Sequence, residues 1–260
     1  MDLFAYIQQT YTYTAITIAI YMTLWFMIAI IRKRNDVADT AWGIGFFIAS
    51  CVPLVMYGVQ SVQQIIVTLL VLIWGSRLSI HIHLRNKNKG EDPRYLAWRQ
   101  SWKWFYTRSF FQIFVLQGIL LMLVVSPVLF INTSAVSEIT YYLYAGIIIW
   151  LTGFIFESLG DAQLKKFIQN PENRGKIMDK GLWAYTRHPN YFGEVTQWWG
   201  LYVIALSVPY GMWSIIGPLT ITFLILKVSG IPMLEKSFIG RPGWEEYKAK
   251  TSGFIPWFRG

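Results

Sequence analysis

Seven predominantly apolar runs divide the chain, at about residues 11–31, 41–58, 62–82, 109–131, 140–160, 191–208 and 213–229. Each is within or close to the roughly 17 to 25 residues a helix needs to span hydrocarbon. The pattern therefore predicts an all-α, polytopic membrane protein, a bundle of seven transmembrane helices joined by polar loops. Neither an internal repeat nor a low-complexity tract divides it, so residues 1–260 read as a single integral-membrane domain, with 232–260 as a cytoplasmic C-terminal tail or lid. Met1-Asp2-Leu3 begins with an acid where a signal peptide has a basic region, so the first run is expected to stay as a helix.

Charge tests this division. Lys and Arg cluster after the first, third and fifth runs and in the tail, whereas the loops Gln60 to Gln64, Asn132 to Ile139 and Ser207 to Met212 contain none. With Arg77 and Lys227 near helix ends on the same side, all 23 basic residues fall on one face of the alternating topology. The positive-inside rule then puts the N-terminus outside and the C-terminus in the cytoplasm, as in a bacterial inner membrane. Composition agrees, with 54% hydrophobic and 14% charged residues. The net charge of +9 is accounted for by orientation and by anionic headgroups, which removes the main reason to expect nucleic acid. Membrane lipid is the expected partner, with no obligate protein partner evident. Cys51 is the single cysteine, so there is no internal disulfide and no Cys/His spacing for a metal.

Polar residues that interrupt apolar runs are expensive, and ionisable ones usually serve a ligand or a proton. Four such clusters are expected on the cytoplasmic side. Glu157 and Asp161 are four apart and share a helical face; they can accept hydrogen bonds from ribose or adenine groups, or pair with Lys165. In Arg187-His188-Pro189-Asn190-Tyr191-Phe192-Gly193-Glu194, Pro189 suits the first turn of a helix, with Asn190 and Glu194 again four apart and the helix N-terminus open to an anion. Arg77, Arg85 and Arg94 can hold phosphate oxygens bidentately, whereas His81 and His83, two apart, lie on different helical faces. Ser229 to Glu235 and the tail from Trp244 to Trp257 form either a lid or a surface anchored by Trp244, Trp257 and Phe258. Elsewhere, Asp36 and Asp39 precede Trp42-Gly43; Asp39 is a candidate acid, but a helix cap is the more ordinary use for at least one of the two. No Gly-x-Gly-x-x-Gly is present, so a dinucleotide site would have to be built without a Rossmann turn.

Several motifs occur in a fixed order: Asp-x-x-Trp-Gly, Trp-Gly-x-Arg-Leu, Gly-Glu-Asp-Pro-Arg-Tyr, Phe-Glu-x-x-x-Asp-x-Gln, the Gly181 to Glu194 block, Ser-Gly-Ile-Pro-x-x-Glu and Thr-Ser-x-Phe-Ile-Pro. In these the chain resembles a bacterial membrane-protein family allied to steroid 5-alpha-reductases and, more distantly, to sterol reductases. The resemblance implies a seven-helix enzyme that binds NADPH from the cytoplasm and reduces an activated carbon–carbon double bond in a lipophilic, steroid-, isoprenoid- or fatty-acyl-like substrate. It implies dinucleotide-binding positions at Glu157, Asp161, Asn190 and Glu194, phosphate partners at Arg77, Arg85, Lys165 and Lys176, and further cofactor contacts from Arg94, Tyr185, Arg187, His188, Glu235 and Tyr247. Asp39 is then the first candidate proton donor and Tyr95 the second. The chain departs from the steroid enzymes where they carry a Gln-Glu pair and a Tyr, having Asp36-Val37-Ala38-Asp39 and Trp74 instead. Isoprenylcysteine and phospholipid methyltransferases carry a related Arg-His-Pro-x-Tyr-x-Gly segment that binds S-adenosylmethionine, which makes methyl transfer the alternative. A lipid-binding protein without activity is a third reading.

Overall fold

A computed structural model describes residues 3–136 and 138–258. The acidic opening Met1-Asp2, Ser137 in the expected 132–139 loop, and Arg259-Gly260 lie outside the described residues. The helices are α1 (Leu3–Arg32), α2 (Val37–Tyr57), α3 (Val62–Asn86), α4 (Pro93–Ser101), α5 (Phe105–Ser109), α6 (Leu116–Val124), α7 (Ser126–Thr133), α8 (Tyr141–Gln169), α9 (Pro189–Ala205), α10 (Ile216–Phe223), α11 (Ile231–Lys236) and α12 (Trp244–Lys250). A π-helical turn, Phe110–Val115, joins α5 to α6, and another, Leu224–Val228, follows α10.

Six helical segments among the described residues are long and apolar enough to cross a membrane: Leu3–Arg32, Val37–Tyr57, Val62–Asn86, Phe105–Val124, Tyr141–Gln169 and Gly211–Lys236. The protein is thus a multi-pass membrane protein. The run expected over 191–208 is α9, whose 17 residues rise only about 25 Å at 1.5 Å each. The fourth run, expected as one helix over 109–131, breaks at Val125. Pro127 starts α7 there, and all eight residues of α7 are buried. Helix α1 begins well before residue 11 because its polar first turns have a partner: the Tyr57 hydroxyl donates to Tyr6 O at 3.2 Å and Gln9 Oε1 at 3.3 Å.

The chain forms two compact units, Met1–Thr140 with Ala205–Gly217, and Tyr141–Ile204 with Pro218–Gly260. In the first, α2 packs chiefly on α3 and α1. Gly43 and Gly75 set the α2–α3 spacing, since a Cβ on either would overlap the other's carbonyl oxygen. Small residues let helices approach closely where lipid removes the hydrophobic drive to associate. The Ser79 hydroxyl then reaches Thr40 O at 2.8 Å. Toward the other end of these helices lies a buried polar cluster. Asn132 Nδ2 donates to Ser50 O at 2.8 Å and Thr68 Oγ1 at 2.9 Å, and Gln64 Nε2 donates to Asn132 O at 3.0 Å. Asn132, Thr133 and Ser134 are therefore packed inside the unit, with Asn132 1% exposed.

The second unit uses the same device on a longer scale. Gly146, Gly153 and Gly160 recur every seven residues along α8, and Gly193 and Gly200 do so on α9. A Cβ on Gly153 would stand 2.5 Å from Gly193 O, and one on Gly200 2.7 Å from Gly146 O. The Gly75→Ala and Gly153→Ala variants should each lose about 1–3 kcal/mol, because backbone must move to admit a methyl group. Gly90→Ala, which meets nothing within 4 Å, should unfold like the parent in detergent. Equal melting of all three would show that the crossings can relax freely.

Candidate functional site

Four site residues of the second unit, Glu157, Asp161, Asn190 and Glu194, lie on the two helices of the α8–α9 crossing. Glu157 is 3% exposed and its Oε2 accepts from Gln197 Nε2 at 2.6 Å. Gln197 also donates to Gly193 O at 3.3 Å, so the buried carboxylate lies at one of the close approaches of the two backbones. Gln197 was not among the expected site residues; its signal in the sequence is a lone amide three positions after Glu194 in an apolar run. One turn from Glu157, Asp161 Oδ1 accepts from Asn190 Nδ2 at 3.1 Å. Helix α9 starts at Pro189 as expected, and Pro189 and Asn190 rest on Gly160. Glu194 follows one turn after Asn190 and is partly buried.

The segment before α9 is tied down on both sides. Trp183 Nε1 donates to Gly160 O at 3.1 Å, and the Tyr247 hydroxyl donates to Trp183 O at 2.7 Å. Gly181 has φ +62°, the left-handed region that favours glycine, and the adjacent Leu182 N–H donates to Gln163 Oε1 at 3.0 Å. The tail lies alongside residues 185–187. Arg187 N donates to Ser252 O at 2.9 Å, Thr186 Oγ1 to Phe254 O at 2.8 Å and Trp257 N to Tyr185 O at 3.0 Å.

Arg187, expected to face a cofactor, has its guanidinium directed to the tail. Nε donates to Glu235 Oε1 at 2.8 Å, while Nη1 donates to Thr251 O at 2.5 Å and Lys248 O at 3.1 Å. The same Glu235 oxygen is 3.0 Å from His188 Nε2. An ionised carboxylate only accepts, so Nε2 carries the proton and Nδ1 is left as an acceptor, buried and without a hydrogen-bond partner among the described residues. Burial lowers the His188 pKa, against an opposing pull from Glu235, and keeps the ring neutral. Lys165 and Lys176 are exposed. Lys176 and Tyr247 help line a cleft of about 450 Å³. Tyr185 is exposed, with its ring edge-on to Phe258. Trp244 is 3% exposed against Phe238 and Tyr247, so of the three expected surface anchors only Trp257 and Phe258 face outward.

In the first unit, the Gly90 to Tyr95 motif folds onto the start of α2. Tyr95 OH donates to Asp39 Oδ1 at 2.6 Å, and Arg94 Nη2 donates to Asp39 Oδ2 at 3.2 Å. Arg94 is also paired with Asp92 at 2.9 Å. Asp36, 2% exposed, accepts a two-pronged bond from Arg34 at 3.0 and 2.7 Å, and Glu91 accepts another from Arg99 at 2.7 and 2.9 Å. The capping reading is corrected here: Asp36 occupies the N-cap position of α2 but makes no side-chain cap bond, because Arg34 and the Asp92 N–H engage its oxygens. Burial, together with the charge of Asp39, holds the Tyr95 hydroxyl well above its ordinary pKa. Asp39 is thus the acceptor of the pair and Tyr95 the group that keeps its proton. Arg77 is half-buried on α3 and Arg85 exposed near its end.

The chain belongs to the family described as "Protein of unknown function (DUF1295)", a steroid 5-alpha-reductase-like family whose model matches residues 25–251. It is also similar to "Probable O-methyltransferase ustE" of Ustilaginoidea virens, 37% identical over 71 residues that make up 27% of this chain and 25% of that protein. The chain thus matches about a quarter of that relative's length. No solved structure matches the chain.

The neutral His188 gives stability a pH dependence. Its folded pKa lies below the unfolded value of about 6.5, so the unfolded state takes up a proton first as pH falls. The contribution is complete above about pH 6.5 and declines below it. Melting at pH 8 and pH 5.5 should show a smaller difference for His188→Gln than for the parent; an identical difference would mean that His188 titrates alike in both states.

Proposed function

We propose that this member of a steroid 5-alpha-reductase-like family is an NADPH-dependent membrane oxidoreductase acting on an activated carbon–carbon double bond of a lipophilic substrate. The observation that carries the reading is the polar set at the α8–α9 crossing. There Asn190 is hydrogen-bonded to Asp161, and Glu157 and Glu194 stand one turn away on their respective helices. Carboxylates and an amide in this order suit ribose hydroxyls and a carboxamide, and the buried, unpartnered acceptor His188 Nδ1 fits a polar ligand group arriving at the same segment. Lys165 and Lys176 are the candidate phosphate partners in the same unit. When bound, NADPH would supply the hydride.

The chain's own residues would do the rest. Tyr95 and Asp39, joined by a hydrogen bond and flanked by Arg94, are the candidate acid pair of the first unit, from which a developing enolate oxygen would take its proton. Arg94 then serves proton transfer instead of a cofactor phosphate. Tyr95→Phe should lower kcat by about 10²–10⁴, the usual range for a lost general acid, with the KM for NADPH unchanged. Parental turnover in Tyr95→Phe would remove it from the mechanism.

The partial likeness to an O-methyltransferase supports a second reading, S-adenosylmethionine-dependent methyl transfer. Thermal-shift titration of the purified protein with NADPH, NADH and S-adenosylmethionine separates the two. The reductase reading expects stabilisation by NADPH, weakened about tenfold in Asn190→Ala, on the scale of one charge-assisted hydrogen bond. Stabilisation by S-adenosylmethionine alone would replace reduction with methyl transfer.

Counting α9 as a crossing gives seven spans, with local bilayer thinning accommodating its length. The orientation is N-terminus outside and C-terminus cytoplasmic in a bacterial inner membrane. In a Cys51→Ser background, an impermeant maleimide should label Gln60→Cys but not Lys89→Cys in intact cells; the opposite pattern inverts the topology.

A further inference from the structure

The stretch from Trp98 to Arg108 takes no part in the reaction proposed above, yet it is the most densely aromatic and basic segment of the chain. Its rings form an ordered stack. Tyr95 meets Trp98 edge-on at 5.4 Å, Trp98 lies parallel to Trp102 at 5.1 Å, and the Arg108 guanidinium sits 4.8 Å above the Trp102 ring. Arg99 lies 4.4 Å over Phe105 but has its charge matched by Glu91. Lys103 and Arg108 differ from it, for among the described residues neither has a carboxylate partner within salt-bridge distance.

Between these two cations stands Trp104, with φ +62° and ψ 44°, a left-handed conformation that a bulky side chain rarely adopts. The turn leaves its indole 74% exposed, beside Tyr106 at 55%. The Phe105–Val124 span begins at the next residue, so Trp104 and its neighbours stand at headgroup level. Farther along the span, Phe111, Leu116 and Ile119 are exposed and apolar. A cationic pair, an amphipathic ring and an apolar strip therefore follow one another from the headgroup level into the hydrocarbon.

We propose that residues 102–111 form a binding site for one anionic phospholipid, whose phosphate lies between Lys103 and Arg108, whose glycerol region packs on Trp104 and whose acyl chain runs along Phe111. The two cations supply the charge complementarity. The stack behind Arg108 holds one of them in place, which reduces the ordering cost of binding. The proposal does not depend on the reaction assigned above.

The test is native mass spectrometry of the intact purified chain after delipidation and titration with phosphatidylglycerol or phosphatidylcholine. The parent should retain phosphatidylglycerol preferentially. The double variant Lys103→Gln/Arg108→Gln should lose at least about fivefold in that retention, whereas Lys236→Gln/Arg241→Gln, with the same change of net charge, should not. Trp104→Ala, which keeps the Cβ and removes an exposed ring that cannot unpack a core, should also lose retention. Glycerol phosphate at matched concentration should not displace the lipid. Equal retention by both double variants would overturn the site, and displacement by glycerol phosphate would show a free-phosphate site instead of a lipid one.

Discussion

The close approach of helix backbones at glycines is the constraint on which the other arrangements depend. In hydrocarbon, apolar side chains gain little by leaving lipid for one another, and association rests on packing and hydrogen bonds that require short range. Gly43 against Gly75 in the first unit, and Gly153 against Gly193 in the second, supply that range. Polar contacts follow from it. Ser79 can reach the α2 backbone, and Glu157 and Gln197 can pair across the α8–α9 crossing, because nothing larger than hydrogen separates the helices.

A second regularity is that, in each unit, arginines are already occupied by the protein's own oxygens. Arg34 and Arg99 hold Asp36 and Glu91, and Arg94 bridges Asp92 and Asp39. Arg187 joins Glu235 to two carbonyls at the end of α12. Burying a carboxylate is tolerable only with such partners, and a planar guanidinium satisfies two acceptors at once. Arg94 and Arg187 read as ligand-binding groups in the sequence because that chemistry is the same whether the oxygen belongs to a phosphate or to a neighbouring helix.

The motifs themselves were legible at different depths. Pro189 marked the start of α9 correctly, since its ring favours the first turn whatever surrounds it. The four-residue spacings of Glu157 and Asp161, and of Asn190 and Glu194, placed each pair on one helical face. A cap was expected from at least one of Asp36 and Asp39; Asp36, at the N-cap position, makes no cap bond, because capping preference is local and Arg34 takes its oxygens. The fourth run was misread as continuous, since hydropathy alone does not register that Pro127 begins a new, wholly buried helix.

The sequence by itself determined that this is an all-helical, multi-pass membrane protein with its polar chemistry in a few ordered motifs, because helix length and hydropathy are properties of local chain segments. Only the tertiary structure decided which partners the polar groups take. That Tyr95 donates to Asp39, 56 positions away, and that His188 and Arg187 share one oxygen of Glu235, depends on contacts between distant segments. Hydrogen bonds act over about 3 Å, so their assignment awaits the packing that brings those segments together.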